Sequence, residues 1–399
     1  MTTYYVAKSG NDSNAGTSEA APKLTIQAAL NVATTASDVV EIIDESRYNE
    51  GYLAQAADRI TIQHTASELG RPTIYGTGAA GSGPVSAFNV TYQQCIYIGL
   101  EIAEYTTSVF NDGGSGYDKF IMSGCFVHDV PKLGNSIIAS GDSSSPAAIK
   151  QCVMFFQPGT STPILNNGYM EISNCLITSS NTSGDWPLIY DYGVNGTASF
   201  STIINRGTTS KSTIRFPKVI NCILTTEGGN GIASDDQTYN IVRTSGHAFR
   251  DFADSSNAAT ASGEFVATIE EIAFVDKDSV GSTISVSADY NLQGTSVALD
   301  AGVAYDSITV DITGTVRPQN SSYDIGAFEY VVSDPEVWTD YPPQPDPVRT
   351  QDFVMNTYDN LSSNHKFRSD ADAKQVPFSL ATKGPSTLRG RSKPYKTTK

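Results

Sequence analysis

Between residues 97 and 224 the chain repeats one short pattern: an apolar residue, two mostly small or polar residues, a Cys or aliphatic residue, then more apolar residues. The copies are Tyr97-Ile98-Gly99-Leu100, Met122-Ser123-Gly124-Cys125, Ile149-Lys150-Gln151-Cys152, Ile172-Ser173-Asn174-Cys175, Phe200-Ser201-Thr202-Ile203 and Val219-Ile220-Asn221-Cys222. Counted at the fourth position, the steps are 25, 27, 23, 28 and 19 residues. One strand-like cluster per period in the twenties, with Gly, Ser, Asn and Asp between clusters, predicts a solenoid whose coils stack on one another. The Leu spacing and Asn ladder of a leucine-rich repeat are missing. The pattern therefore predicts an all-β fold, a right-handed single-stranded parallel β-helix, with Cys125, Cys152, Cys175 and Cys222 as an inward-facing ladder.

The same reading extends to both ends. Tyr4-Tyr5-Val6 predicts a strand and residues 9–18 a polar loop, while Leu24 to Ala33 places Ile26 and Leu30 at i,i+4 and predicts a short helix capping the open end. Val39 to Ile43, Ile60 to Gln63 and Thr73 to Tyr75 predict further strands. After Tyr330 the character changes to a Pro-, Asp- and Tyr-rich stretch through Pro347, and from Gln351 no apolar period is sustained. The expected organisation is an N-terminal strand and capping helix over 1–38, β-helix coils over 39–260, closing coils and a C-terminal cap over 261–330, and a Pro-rich linker with a basic, extended, irregular arm over 331–399.

Charge sharpens that division. Residues 1–340 carry a net −21, whereas residues 341–399 carry +5, and Lys374 to Lys399 holds seven Lys or Arg with no Asp or Glu. An acidic body excludes nucleic acid and anionic membrane as its partners. The arm's cations Arg349, Lys366, Arg368, Lys383, Arg389, Arg391, Lys393, Lys396 and Lys399 mark it as an anchor that orders on a partner. The five cysteines read as small core residues of a reducing compartment, without bridges. Met1-Thr2-Thr3 runs directly into the first strand, and no apolar run approaches the ~20 residues that span a bilayer, so the expectation is a chain made in a cytoplasm.

Two end motifs carry a resemblance. Residues 4–17, Tyr-Tyr-Val-Ala-Lys-Ser-Gly-Asn-Asp-Ser-Asn-Ala-Gly-Thr, followed by Leu24-Thr25-Ile26-Gln27-Ala28-Ala29, resemble the opening of pectate-lyase-like parallel β-helix proteins. Asp289-Tyr290-Asn291-Leu292, Ala298-Leu299-Asp300-Ala301-Gly302, residues 311–319 and Tyr323-Asp324-Ile325-Gly326-Ala327-Phe328-Glu329-Tyr330 resemble the closing segment of that superfamily. The resemblance covers about residues 4–330 and implies architecture more than activity, because the fold hosts lyases, hydrolases, phage tailspikes and non-catalytic surface proteins.

Candidate chemistry is sparse. Asp235, Asp236, His247 and Arg250 follow an order similar to polygalacturonase-type hydrolases, and paired carboxylates suit acid/base division. Their spacing disagrees: Asp236 to His247 is 11 residues, short of one coil. An Asx-type turn explains them as well. His128-Asp129 is a second acid/base candidate, with strand-end turn chemistry beside it. His64 and His365 stand alone, and Asp112, Asp118, Asp185 and Asp191 lack calcium-loop spacing, so neither metal nor cofactor is expected. Tyr105, Tyr117, Trp186, Tyr190 and Tyr192, read as exposed on long loops, suit sugar stacking, loop packing or a protomer interface.

Two readings follow. The first is a non-enzymatic structural protein of a phage particle, a capsid decoration, fibre or tailspike-like component located in the virion. Its partners are other virion proteins through the arm, with cell-surface polysaccharide as a further candidate. The resemblance implies a homo-oligomer, trimers included. The second is a polysaccharide lyase or hydrolase acting on host surface glycans; a third, an adhesin-like surface protein, has the least to support it.

Overall fold

The computed structural model describes residues 1–65, 70–76, 86–89, 94–111, 120–130, 147–156, 165–167, 170–179, 189–191, 196–205, 214–215, 218–226, 232–233, 236–238, 241–243, 249–250, 265–266, 269–275, 290–305 and 308–331. Every strand pairing among them is parallel, and the strands fall on three faces. The first face is a ten-stranded sheet running from Thr3–Val6 through Val39–Ile42, Thr61–Gln63, Cys95–Ile98, Phe120–Ser123, Ala147–Lys150, Met170–Ser173, Thr197–Ser199 and Lys218–Ile220 to Asp236–Thr238. The second, also ten-stranded, runs from Arg47–Asn49 through Thr73–Tyr75, Glu101–Ala103, Phe126–Val130, Val153–Phe156, Leu176–Ser179, Thr202–Asn205, Ile223–Thr226 and Ile241–Arg243 to Phe265–Val266. The third face is split into a three-stranded sheet, beginning at Leu53–Ala54, and a five-stranded sheet ending at Phe249–Arg250. This is the parallel β-helix that the period predicts.

Side chains alternate in and out along each strand. The inward column of the first face includes Val40, Ile62, Tyr97, Met122, Ile149, Ile172, Ala198 and Val219, and that of the second Tyr48, Ile74, Ile102, Val127, Met154, Ile177, Ile203 and Leu224, all buried in one continuous core. Both tyrosines of these columns have partners: the Tyr97 hydroxyl accepts from Gln55 Nε2 at 2.8 Å while its ring packs on Phe88 at 4.5 Å, and the Tyr48 hydroxyl donates to Asp44 Oδ1 at 2.7 Å.

A two-residue bend joins the first face to the second. Its first residue is left-handed in six successive coils: Gly99, Gly124, Gln151, Asn174, Phe200 and Asn221, with φ of 66°, 59°, 53°, 50°, 44° and 53°. The second residue forms a buried column of Leu100, Cys125, Cys152, Cys175, Ser201 and Cys222. The four-cysteine ladder is therefore real. The member at the fifth coil is Ser201 and not Ile203, so the true steps are 25, 27, 23, 26 and 21 residues. Ser201 fits because its hydroxyl donates to the carbonyl two residues earlier, at 2.9 Å, as the thiols of Cys152, Cys175 and Cys222 do at 3.2, 3.2 and 3.3 Å.

At the N-terminal end, helix Ile26–Leu30 buries Ile26, Ala29 and Leu30 against the first coils. Thr25 Oγ1 caps Ala28 N, and the Glu50 carboxylate accepts from the Ile26 and Gln27 amides at 2.9 Å each. The polar opening motif wraps Lys23, whose ammonium donates to the Asp12 and Asn14 carbonyls at 3.0 and 2.7 Å.

Residues 290–331 lie along the outside of the second face. There Ile272, Phe274, Tyr290, Leu292, Ile312, Ile325, Ala327 and Phe328 pack on outward-facing Phe126, Val153, Phe155, Leu176, Ile204 and Ile223. Tyr323 to Tyr330, placed by the sequence reading within the closing coils and C-terminal cap, covers this flank. Gly326 permits the approach: a Cβ there would meet Ile223 Cδ1 at 2.7 Å. Bend residues also grip the segment, with Asn174 Nδ2 donating to Val310 O at 2.8 Å and Asn221 Nδ2 to Val303 O at 2.7 Å. Inside the segment, buried Arg317 donates to Glu329 Oε2 at 2.9 Å and Gly326 O at 2.8 Å, with its guanidinium 4.6 Å from the Phe200 ring centroid.

Candidate functional site

The flank covered by the closing segment begins at Phe126. On the three preceding coils the same outward columns turn polar: Arg47, Thr73 and Glu101 precede Phe126 in one, and Asn49, Tyr75 and Ala103 precede His128 in the other. A change from apolar to charged side chains at fixed register marks where the flank stops being core.

At that boundary the strand Phe126–Val130 breaks register between Val127 and Val130, and Asp129 takes a φ of 53°. The irregularity turns Asp129 back on its neighbour, as bulges re-aim side chains. His128 Nδ1 lies 2.8 Å from Asp129 Oδ2 and Nε2 lies 3.1 Å from Glu101 Oε1, while its ring stacks 4.6 Å from that of Phe126. Both ring nitrogens face carboxylate oxygens, so both carry protons in the best-satisfied state. Burial alone would lower the His128 pKa, but the hydrogen bonds and charges of Asp129 and Glu101 outweigh it and raise it to about 9. His128 and Glu101 are buried, whereas the Asp129 side chain is 39% exposed. Buried Arg71 adds its charge beside Glu101.

Three coils before His128, Arg47 Nη2 donates to Glu104 Oε1 at 2.6 Å, and the guanidinium carbon sits 4.1 Å from the Tyr75 ring centroid. Both charged side chains are partly open to solvent, at 32% for Arg47 and 40% for Glu104. Adjacent strands lie about 4.8 Å apart, so Tyr75 and His128, two rungs apart in register, stand roughly 10 Å from each other. The reachable groups are thus a guanidinium fork, an aromatic ring and two carboxylates. They offer donors, acceptors and an apolar ring face. His128, an imidazolium at neutral pH with both protons engaged, has no lone pair with which to act as a base.

The other sequence candidates fall elsewhere. Asp236 begins the last strand of the first face, in register with Lys218, whereas Arg250 lies on the third face, in register with Ala233. Asp235 and His247 are outside the described residues. Tyr190 lies on the third face in the strand Ile189–Asp191, beside Asn166 and Arg215. Tyr117, Trp186 and Tyr192 are outside the described residues, as are Asp112, Asp118, Asp185, His365 and all nine arm cations from Arg349 to Lys399. Tyr105, expected to be exposed, is buried, and its hydroxyl donates to Glu50 O, which ties the chain after Glu104 to the first coil. The five cysteines are free and buried. Burial pushes the Cys95 and Cys222 thiols up to about 12, which leaves them inert as nucleophiles at neutral pH. Among the described residues no group of three or more His, Cys, Asp or Glu is placed to hold a metal ion.

Sequence reasoning missed Glu101, Arg71, Arg47 and Tyr75. The available signal was the period: one step of 25 residues back from His128 lands at Ala103, and its strand opens with Glu101.

No family model matches the chain, and no curated protein sequence matches it. Among solved structures it is similar to pectate lyase Pel9A, at 13% identity over 82% of this chain and 96% of that one with a TM-score of 0.46. A rhamnogalacturonan lyase aligns at 13% identity over 69% of this chain and 91% of that one, with a TM-score of 0.38. The strand registers above establish the architecture by themselves: a parallel β-helix.

Proposed function

We propose that this chain is a polysaccharide-engaging structural protein of a phage particle. Its β-helix body is displayed at the surface and holds a glycan without cleaving it, while its basic arm attaches it to other virion proteins. The observation that carries the glycan reading is the group Arg47, Tyr75, Glu104 and Asp129, each at least partly open to solvent, on the second face next to the closing segment. A polyhydroxylated chain presents hydroxyl pairs to a guanidinium fork and to carboxylates, and C–H faces to an aromatic ring. The locked imidazolium of His128 favours binding over proton transfer. For the arm, the supporting observation is the opposition between a body of −21 and a tail of +5.

The test is a panel of acidic and neutral polysaccharides offered to the full chain, read by calorimetry and by assay for released product. The expected result is binding without product, weakened about tenfold or more by Arg47→Ala and by Tyr75→Ala. Absence of binding to every glycan overturns the reading. Product release supports instead a polysaccharide lyase or hydrolase. Loss of release in Asp129→Asn would then place the chemistry here, and loss in Asp236→Asn or His247→Ala would place it at the sequence-predicted group.

A further inference from the structure

The strip beside the closing segment holds its charges in a fixed arrangement. Glu104 follows the strand Glu101–Ala103 with a left-handed backbone, φ 61°, and its carboxylate reaches back two coils to accept from Arg47 Nη2 at 2.6 Å. Arg47 lies over the ring of Tyr75 on the coil between, 4.1 Å from its centroid. The guanidinium is thus held by a ring face and a carboxylate together.

A guanidinium grips a carboxylate through two parallel N–H groups, side-on through Nε and one Nη or end-on through both Nη. At Arg47 the side-on fork is closed, because Nε is shut off from solvent, and the end-on fork shares Nη2 with Glu104. The surrounding charge also has the wrong sign for an anion. Glu104 and Asp129 are 40% and 39% exposed against 32% for Arg47, so the reachable groups, one cation and two carboxylates, sum to −1. Adding buried Arg71, the His128 imidazolium and Glu101 brings the cluster to neutrality, inside a body of −21. This group leaves no surplus cation for a sugar carboxylate. Hydroxyls meet no such obstacle, since they donate to the Glu104 and Asp129 oxygens and accept from the guanidinium without bringing charge.

We propose that the glycan taken by this strip is an uncharged one, a neutral hexose polymer, and that the Arg47–Glu104 pair turns uronate-bearing chains away. The inference rests on the glycan reading above and gives it a substrate class.

The test titrates polygalacturonate, polymannuronate and polyglucuronate into the full chain by calorimetry, each beside its own carboxyl-reduced form, at about 0.05 M salt where surface charge is little screened. Reduction turns each carboxylate into a primary alcohol and keeps linkage and ring stereochemistry, so charge is the main difference within a pair. At least one reduced polymer should bind about tenfold or more tightly than its acidic parent. Glu104→Asn suits the left-handed backbone, falls one methylene short of Arg47 and should narrow that gap to about threefold or less. Glu104→Gln, which keeps the reach and loses the charge, should narrow it as well. Acidic parents that bind as tightly as their reduced forms, or a gap unchanged in both variants, overturn the proposal while the glycan reading stands. Failure of all six polymers to bind overturns the neutral-hexose assignment, and the wider panel then decides the glycan reading separately.

Discussion

The group most exposed to pH is His128. Its folded pKa of about 9 lies above the unfolded value near 6.5, so its charge stabilises the fold fully below about pH 6.5, and that contribution fades as pH rises through 9. The shift corresponds to an upper figure on the order of 3 kcal/mol. The groups facing it are Glu101 from the preceding coil and Asp129 from its own strand, with Arg71 acting on Glu101. Burial pushes the Cys95 and Cys222 thiols up to about 12, above this window. Thermal unfolding of the unaltered chain should lose stability between pH 6.5 and 9.5. His128→Gln, which leaves the carboxylates without their cation, should be less stable by about 3 kcal/mol at pH 6 and flat across the same range. A parallel slope in both proteins would show that His128 is neutral in the fold.

Among the elements, the two-residue bend does the most with the least chain. It turns each coil through a left-handed residue, a conformation that costs a non-glycine residue roughly 1 kcal/mol and that Asn tolerates best among them. Asn221 meets that need and also grips the closing segment, donating to Val303 O at 2.7 Å and accepting from Val303 N at 3.1 Å. Asn221→Ala should therefore cost about 2–3 kcal/mol in chemical denaturation, and Asn221→Gly, which keeps the φ and loses only the side chain, about 1 kcal/mol less. Equal losses would assign the whole effect to the hydrogen bonds. The bend also shows what was legible in the sequence. Cys125, Cys152, Cys175 and Cys222 betrayed the period because an inward position accepts few residue types. Ser201 hid in the same column because a buried serine satisfied by Ser199 O cannot be told from a turn serine without the register. Glu101 was invisible beside His128 because the partners lie 27 residues apart, and Asn221 met Val303 across 82. Local pattern records the coil and its core; side-to-side contacts between coils and closing segment depend on stacking that only the folded chain displays.

At the scale of the whole molecule, cohesion of the body reaches as far as Tyr330. Its amide donates to Asp324 Oδ2 at 2.6 Å, and the neighbouring Glu329 is held by Arg317 and by the Gln319 amide at 3.0 Å. The segments from Ile272 to Phe328 that close the flank lie before that point. Residues 341–399 carry the positive excess. On the proposed function, opposite charge on one polypeptide separates two tasks: the acidic body repels its copies, while the cationic segment suits an acidic surface on a partner. Removing Thr350 to Lys399 should leave the thermal midpoint and the His128 pH profile of the body unchanged while abolishing its joining to particles. Attachment of the full chain should also weaken as salt is raised from about 0.05 to 0.5 M, because exposed charges are screened within a few ångströms at high ionic strength. Normal incorporation of the truncated chain into particles, or attachment indifferent to salt, would move the anchor from the arm to the faces of the solenoid.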